Sequence, residues 1–173
     1  MPPRTLTLGR IAQIPIRLHW SWVGICALLV LILRPTYAAY ACGGAPICGQ
    51  DVGLAALMGL LLGASVLLHE LGHALVAARL MLPVQSITLF AFGGVAELEG
   101  EAPGPGAELA MAVAGPAVNL LIAAGAGALW WARGGPAALD GPAVLAAHLA
   151  LANGLLALFN LPPGYPMDGG RVL

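Results

Sequence analysis

The chain has 173 residues, of which 60% are hydrophobic and 9% are charged, whereas about 25% of the residues in a typical soluble domain are charged. Its formal net charge is −1 and its seven cations are dispersed, which excludes the basic patch of a nucleic-acid-binding protein. Several apolar runs are long enough to cross a bilayer. The sequence therefore predicts an integral membrane protein that contacts the lipid bilayer and binds no nucleic acid.

The chain begins with a short segment that carries three arginines ahead of the first apolar run. Residues 6–8 and 14–16 are predicted to be extended and to lie along the membrane interface. The first membrane span is predicted over residues 19–40. His19 stands beside two tryptophans, a pattern typical of the aromatic belt at headgroup level. This pattern favours an anchoring role for His19 over metal binding.

Two alternatives concern the end of the first span. The small residues at 39–41 resemble a signal-peptide cleavage site, but Arg34 and the proline after it interrupt the apolar run and favour a retained span. Cys42 and Cys48 bracket the loop that follows. Two cysteines are too few for a structural zinc site, which usually has four ligands. A disulfide between them is expected if the loop is extracellular, and free thiols remain the alternative.

The second span, predicted over residues 53–82, contains the pentad His-Glu-Leu-Gly-His. Residues four apart share one face of a helix, so His69 and His73 can bind the same metal ion. Glu70 is placed to act on a metal-activated water rather than to bind the metal. Ionisable groups inside a membrane helix are energetically unfavourable and are therefore candidates for function. The alternative is a set of buried polar residues without a metal.

The region after the second span changes character. β-Branched residues and partial alternation within residues 84–99 predict a short β hairpin with a glycine pair at its turn. The third span is predicted over residues 107–132 and the fourth over residues 142–161. Asn119 and Asn160 lie in these two spans. They are predicted either to form interhelical hydrogen bonds or to bind a carbonyl or developing oxyanion.

The fourth span is followed by a broken segment, residues 162–170, which contains three prolines and three glycines and cannot continue the helix. Such backbone is tolerated at membrane depth only where it is buried in protein or lines a cavity. Five of the seven arginines fall on one side of the predicted membrane, which places the N-terminus in the cytoplasm. The prediction is an all-α polytopic membrane protein, one domain over residues 1–173, with about four transmembrane helices and a β hairpin at the cytoplasmic membrane edge.

A catalytic metal held by two histidines needs a third protein ligand and an open position. The candidates are Asp168, the glutamates between residues 97 and 108, His19 and His148. Asp168 is favoured because it lies on the broken segment, on the predicted cytoplasmic side of the bilayer with the pentad. The glutamates are expected in solvent, and His148 is expected near the opposite face. Two histidines and one carboxylate form an accepted catalytic zinc set, with Glu70 as general base.

Four motifs resemble, in order, those of the site-2 protease family of intramembrane zinc metalloproteases. They are His-Glu-Leu-Gly-His at 69–73, Phe-Gly-Gly at 92–94, Gly-Pro-Ala-Val-Asn at 115–119 and Asn-Leu-Pro-Pro-Gly-Tyr-Pro-Met-Asp-Gly-Gly at 160–170. The N-terminal stretch 9–22 is similar to that of members with C-terminal CBS domains. Family members usually continue with further transmembrane helices, so the resemblance implies either that C-terminal helices are missing here or that the protein is a minimal variant.

The resemblance implies that His69, His73 and Asp168 bind one zinc ion and that Glu70 is the general base. It implies cleavage of peptide bonds in or near the transmembrane segments of single-pass membrane proteins, often regulatory proteins that another protease has already cut. The active site is expected within the bilayer, nearer the cytoplasm. The oligomeric state is not predicted.

The strand at residues 87–92 is predicted either to capture an unwound substrate as an added strand or to be purely structural. Two other functions stay open beside the protease. An inactive protease-like scaffold would bind membrane partners, although it would have no need of the intact pentad. A transporter would use broken helices near mid-membrane, but it would be indifferent to Glu70, and the sequence has no evident internal repeat.

Overall fold

The computed structural model describes residues 5–42, 48–91, 93–100, 102–138 and 140–161, together with Asp168. Phe92 of the Phe-Gly-Gly motif and the predicted broken segment, apart from Asp168, lie outside the described residues.

Four long helices form the bundle that the sequence predicts. They are α1 (Ser21–Ala41), α2 (Gln50–Arg79), α3 (Pro105–Ala132) and α4 (Gly141–Asn160). All four are long and apolar enough to cross a membrane. The start of α4 has a local cause, because the Asp140 side chain accepts a hydrogen bond from the Ala143 amide at 2.8 Å and so caps the helix.

The β structure is larger than the predicted hairpin. Four strands, β1 (Thr5–Ile11), β2 (Ile14–His19), β3 (Val84–Phe90) and β4 (Gly93–Leu98), form one sheet in the order β1-β2-β3-β4. The two outer pairs are antiparallel and the central pair is parallel. Ile16 of β2 aligns with Ile87 of β3, and both side chains are buried in one apolar cluster with Trp22 and Val66. Because these two side chains are buried together, the predicted extended segment at residues 14–16 pairs with the predicted hairpin.

The position of β3 corrects one prediction. β3 pairs with β2 on one side and with β4 on the other, so its backbone groups are already bonded within the sheet. The prediction that residues 87–92 capture a substrate strand is therefore wrong for β3. Among the described residues, the free edges of this sheet are β1 and β4, and only an edge strand offers unpaired amides and carbonyls.

Helix α2 lies at the centre of the bundle and contacts each of the other three helices. Gly63 permits the approach of α1, because a Cβ atom there would lie 2.8 Å from the Trp22 ring. Asn153 of α4 donates a hydrogen bond to the Ser65 hydroxyl of α2 at 3.1 Å, and such bonds hold membrane helices together. Because α2 is central, the histidine and glutamate side chains of the pentad face protein rather than lipid.

The connection between α1 and α2 is held at the end of the bundle away from the sheet. A disulfide joins Cys42 and Cys48, whose Cα atoms are 5.5 Å apart. Nearby, the Arg34 side chain donates to the buried Asp51 carboxylate at 2.9 Å. These contacts fix α1 against α2.

Candidate metal centre

Three side chains converge where α2 faces α3 and Asp168. His69 and His73 are separated by one helical turn, and their Nε2 atoms are 3.1 Å apart. Asp168 Oδ2 lies 2.9 Å from His69 Nε2 and 3.2 Å from His73 Nε2. Both imidazoles are buried. The structure thus brings together the three residues predicted to bind a metal, although Asp168 is 99 positions from His69.

The hydrogen-bond chemistry of this triangle favours a bound cation. His73 Nδ1 lies 2.6 Å from the Met111 carbonyl oxygen, which can only accept a hydrogen bond. Nδ1 therefore donates, and a neutral His73 carries its lone pair on Nε2. That lone pair points at His69 Nε2 and at the Asp168 carboxylate. A lone pair and a carboxylate that converge in a buried place need a proton or a metal ion between them.

The donor set fits zinc. Two imidazoles and one carboxylate are a catalytic zinc set, and ligand atoms at about 2.0–2.2 Å from a tetrahedral ion lie roughly 3.3–3.6 Å apart. The observed separations of 2.9–3.2 Å need to open by only a few tenths of an ångström.

Two glycines provide the space that the site occupies. A Cβ atom at Gly115 of α3 would lie 2.6 Å from His69 Nε2 and closer still to His73 Nε2. A Cβ atom at Gly94 of β4 would lie 2.7 Å from Glu70 Oε1. Real Cβ atoms essentially never approach other atoms this closely. Any larger residue would therefore displace the imidazoles or the Glu70 carboxylate.

Glu70 borders a cavity of about 140 Å³ beside the triangle. The residue is buried on α2, and the cavity lies between α2, α3, α4 and β4. The cavity is lined by Val66, His69, Glu70, Gly93, Gly94, Asn119, Leu156, Asn160 and Asp168. Its polar wall therefore combines the general-base candidate, two of the three candidate ligands and both predicted asparagines.

The two asparagines differ in their surroundings. Asn119 is 1% exposed, and its Nδ2 lies 3.1 Å from His69 Nδ1. Asn160 is partly exposed on the cavity wall, and its amide donates to the Leu156 carbonyl of its own helix at 2.9 Å. Asn160 is thus the more accessible of the two for a ligand in the cavity.

The other metal-ligand candidates that the structure describes lie elsewhere, and Glu101 lies outside the described residues. His19 Nδ1 is 2.8 Å from the Ser21 hydroxyl, and the His148 ring packs edge-on against Tyr37. Glu97 is exposed on the sheet and accepts a hydrogen bond from Ser86. Within the described part of the chain, the only other cluster of potential ligands contains Cys42 and Cys48, whose sulfur atoms are consumed by the disulfide.

Sequence reasoning predicted a site role for Asn119 of α3, but it missed the parts that Met111 and Gly115 play in placing the two histidines. Met111, Gly115 and Asn119 are spaced by four residues along α3 and face the two histidines of α2. Met111 contributes a carbonyl acceptor, Gly115 leaves space for the imidazoles, and Asn119 contributes its side-chain amide. The four-residue spacing is visible in the sequence and predicts that the three residues share one face of the helix. A backbone carbonyl carries no sequence signal, so the partner of His73 could not be found without the structure.

The sequence of this chain resembles a known peptidase family and several of its relatives. The model of Peptidase family M50 matches residues 57–132. Rip3 of Mycobacterium tuberculosis is 43% identical over 171 residues, which are 97% of this chain and 42% of Rip3. The zinc metalloprotease MJ0392 of Methanocaldococcus jannaschii is 36% identical over 169 residues, 98% of this chain and 44% of that protein. This chain thus spans less than half the length of these relatives.

A solved structure has the same fold. The site-2 protease from Methanocaldococcus jannaschii superposes with a TM-score of 0.68 at 30% sequence identity, over 97% of this chain and 69% of that chain. The chain therefore belongs to the site-2 protease family, Peptidase family M50.

Proposed function

We propose that this chain is an intramembrane zinc metalloprotease that hydrolyses peptide bonds in or near the transmembrane segments of single-pass membrane proteins. The observation that carries the proposal is the convergence of His69, His73 and Asp168 beside Glu70, inside a bundle of membrane-length helices. The three residues would hold one zinc ion, which would supply Lewis-acid polarisation of a carbonyl and activation of water.

The residues of the chain have separate tasks in this reaction. Glu70 accepts the proton of the attacking water and then delivers a proton to the leaving amine. Gly94 lets β4 lie directly against the Glu70 carboxylate. Asn160 is placed on the cavity wall to hold the substrate carbonyl. Helices α2, α3 and α4 enclose the polar cavity.

The orientation proposed from the arginines agrees with the topology. β2 leads into α1 and α2 leads into β3, so the sheet lies at the same end of the bundle as the N-terminus. A cytoplasmic N-terminus then puts the sheet at the cytoplasmic edge of the membrane. His73 lies six residues before Arg79, where α2 ends, or about 9 Å of helix. The site is thus within the bilayer and nearer the cytoplasm.

Strand β4 is the edge that we assign to substrate capture. It is an edge strand of the sheet, and its Gly94 contacts Glu70 while Gly93 lines the cavity. A substrate segment added to β4 would run past the cavity in extended form. Extension is needed because the amides and carbonyls of a helical substrate are bonded to one another.

Backbone methylation of a substrate tests this capture. A strand added to a sheet edge bonds to it through alternate residues. We expect N-methylation at every second position near the scissile bond to abolish cleavage, while the intervening positions tolerate it. The measurement is the cleavage rate of a series of singly methylated peptides. Uniform tolerance, or losses with no two-residue period, would contradict capture by β4.

The proposed function is tested by zinc content and cleavage together. We expect the purified chain in lipid nanodiscs to bind one zinc ion and to cut a tagged single-pass protein, and we expect a chelator to stop the cleavage reversibly. Zinc binding without cleavage of any single-pass protein offered would favour a scaffold. Ion flux through proteoliposomes would favour a transporter. Absence of zinc binding would overturn the proposal.

A further inference from the structure

Helix α3 supplies an outer hydrogen bond to each histidine of α2. The Met111 carbonyl accepts from His73 Nδ1, and the Asn119 side chain lies at hydrogen-bond distance from His69 Nδ1. Gly115 stands midway between them and leaves room for the two Nε2 atoms. The Nε2 atoms of the two histidines thus face each other and Asp168, and their Nδ1 atoms face hydrogen-bond partners on α3.

The orientation of the Asn119 amide decides what His69 can do. With Nδ2 against His69 Nδ1, as placed here at 3.1 Å, the amide donates and Nδ1 must carry the lone pair. A neutral His69 would then hold its proton on Nε2, the atom that faces His73 and Asp168. Such a protonated nitrogen cannot bind a metal.

Turning the amide by 180° removes this conflict. The oxygen and nitrogen of an asparagine amide are nearly isosteric, so their placement follows from the hydrogen-bond network. Asn119 Oδ1 is buried and has no hydrogen-bond partner among the described residues. After the turn, Oδ1 accepts from His69 Nδ1–H, and His69 Nε2 presents its lone pair as His73 Nε2 does.

We infer that Asn119 is a positioning residue whose side-chain oxygen fixes the tautomer and ring orientation of His69 for metal binding. The inference rests on the proposed zinc site, and it assigns to Asn119 a role other than the predicted contact with a carbonyl or oxyanion. Asn119 borders the cavity, but it is only 1% exposed and lies against His69, whereas Asn160 is partly exposed on the cavity wall.

Zinc affinity of purified variants tests this role without any assay of cleavage. Asn119→Leu removes the acceptor, and loss of such an outer partner weakens metal binding by about 10–100-fold. Asn119→Asp keeps an oxygen acceptor and cannot present an NH₂ group. We expect it to bind zinc at least as tightly as the unmodified protein and to give an unchanged absorption spectrum with Co²⁺ in place of zinc.

Asn153→Leu is the matched control. Asn153 is also a buried asparagine of the bundle, but it bonds to Ser65 and Leu149. We expect this variant to lower thermal stability and to leave zinc affinity unchanged. Unchanged affinity in Asn119→Leu would overturn the inference. If Asn119→Leu does not fold, a tenfold loss of affinity in Asn119→Asp would overturn it. Failure of the unmodified protein to bind zinc would overturn the proposed function itself.

Discussion

Replacement of Glu70 by glutamine is expected to abolish cleavage and to leave zinc binding intact. Glutamine has nearly the shape of glutamate and fits against Gly94, but it cannot accept a proton from water. General acid–base catalysis contributes about 10²–10⁴-fold to a rate, so the cleavage rate should fall by at least the lower figure. The measurements are zinc content and initial cleavage rate of a single-pass substrate in nanodiscs.

The control for Glu70→Gln is Glu99→Gln. Glu99 is an exposed carboxylate of the sheet region that accepts a hydrogen bond from Gln85. Its replacement should leave the cleavage rate unchanged. A Glu70→Gln variant that still cleaves at the normal rate would refute the role of Glu70 as general base. Loss of zinc from the variant would instead assign Glu70 to the metal site.

Replacement of Gly115 by alanine is expected to disrupt the metal centre itself. The added methyl group would lie 2.6 Å from His69 Nε2, on the side where the imidazoles converge. Either the rings turn away or α3 moves from α2, and overpacking of this kind costs about 1–3 kcal/mol. If this whole cost falls on metal binding, the zinc affinity should decrease roughly 5–150-fold. The cleavage rate should fall with zinc occupancy.

Gly125→Ala in the same helix is the matched control for Gly115→Ala. A Cβ atom at Gly125 meets nothing within 4 Å among the described residues, so alanine should leave both zinc affinity and thermal stability close to normal. Zinc competition with a chelator measures the difference between the two variants. Equal zinc affinity in both would show that Gly115 has no spacing role.

The sequence alone determined the features that depend on short-range pattern. Apolar runs of membrane length predict the four helices, and the structure has them with ends within three residues of the predicted positions. A spacing of four places His69 and His73 on one helical face, which the structure has as well. Helical periodicity and hydrocarbon thickness are properties of the local chain, so a single sequence carries them.

Only the tertiary structure decided which distant groups meet. β2 and β3 pair although about 70 residues separate Ile16 from Ile87, and this pairing leaves β4 rather than β3 as the free edge next to Glu70. The Met111 carbonyl, the clearance at Gly115 and the burial of Asn119 also depend on how closely α3 approaches α2. Backbone acceptors and empty space have no side-chain identity, so no residue pattern encodes them directly. They arise when the apolar faces of separate elements are buried together.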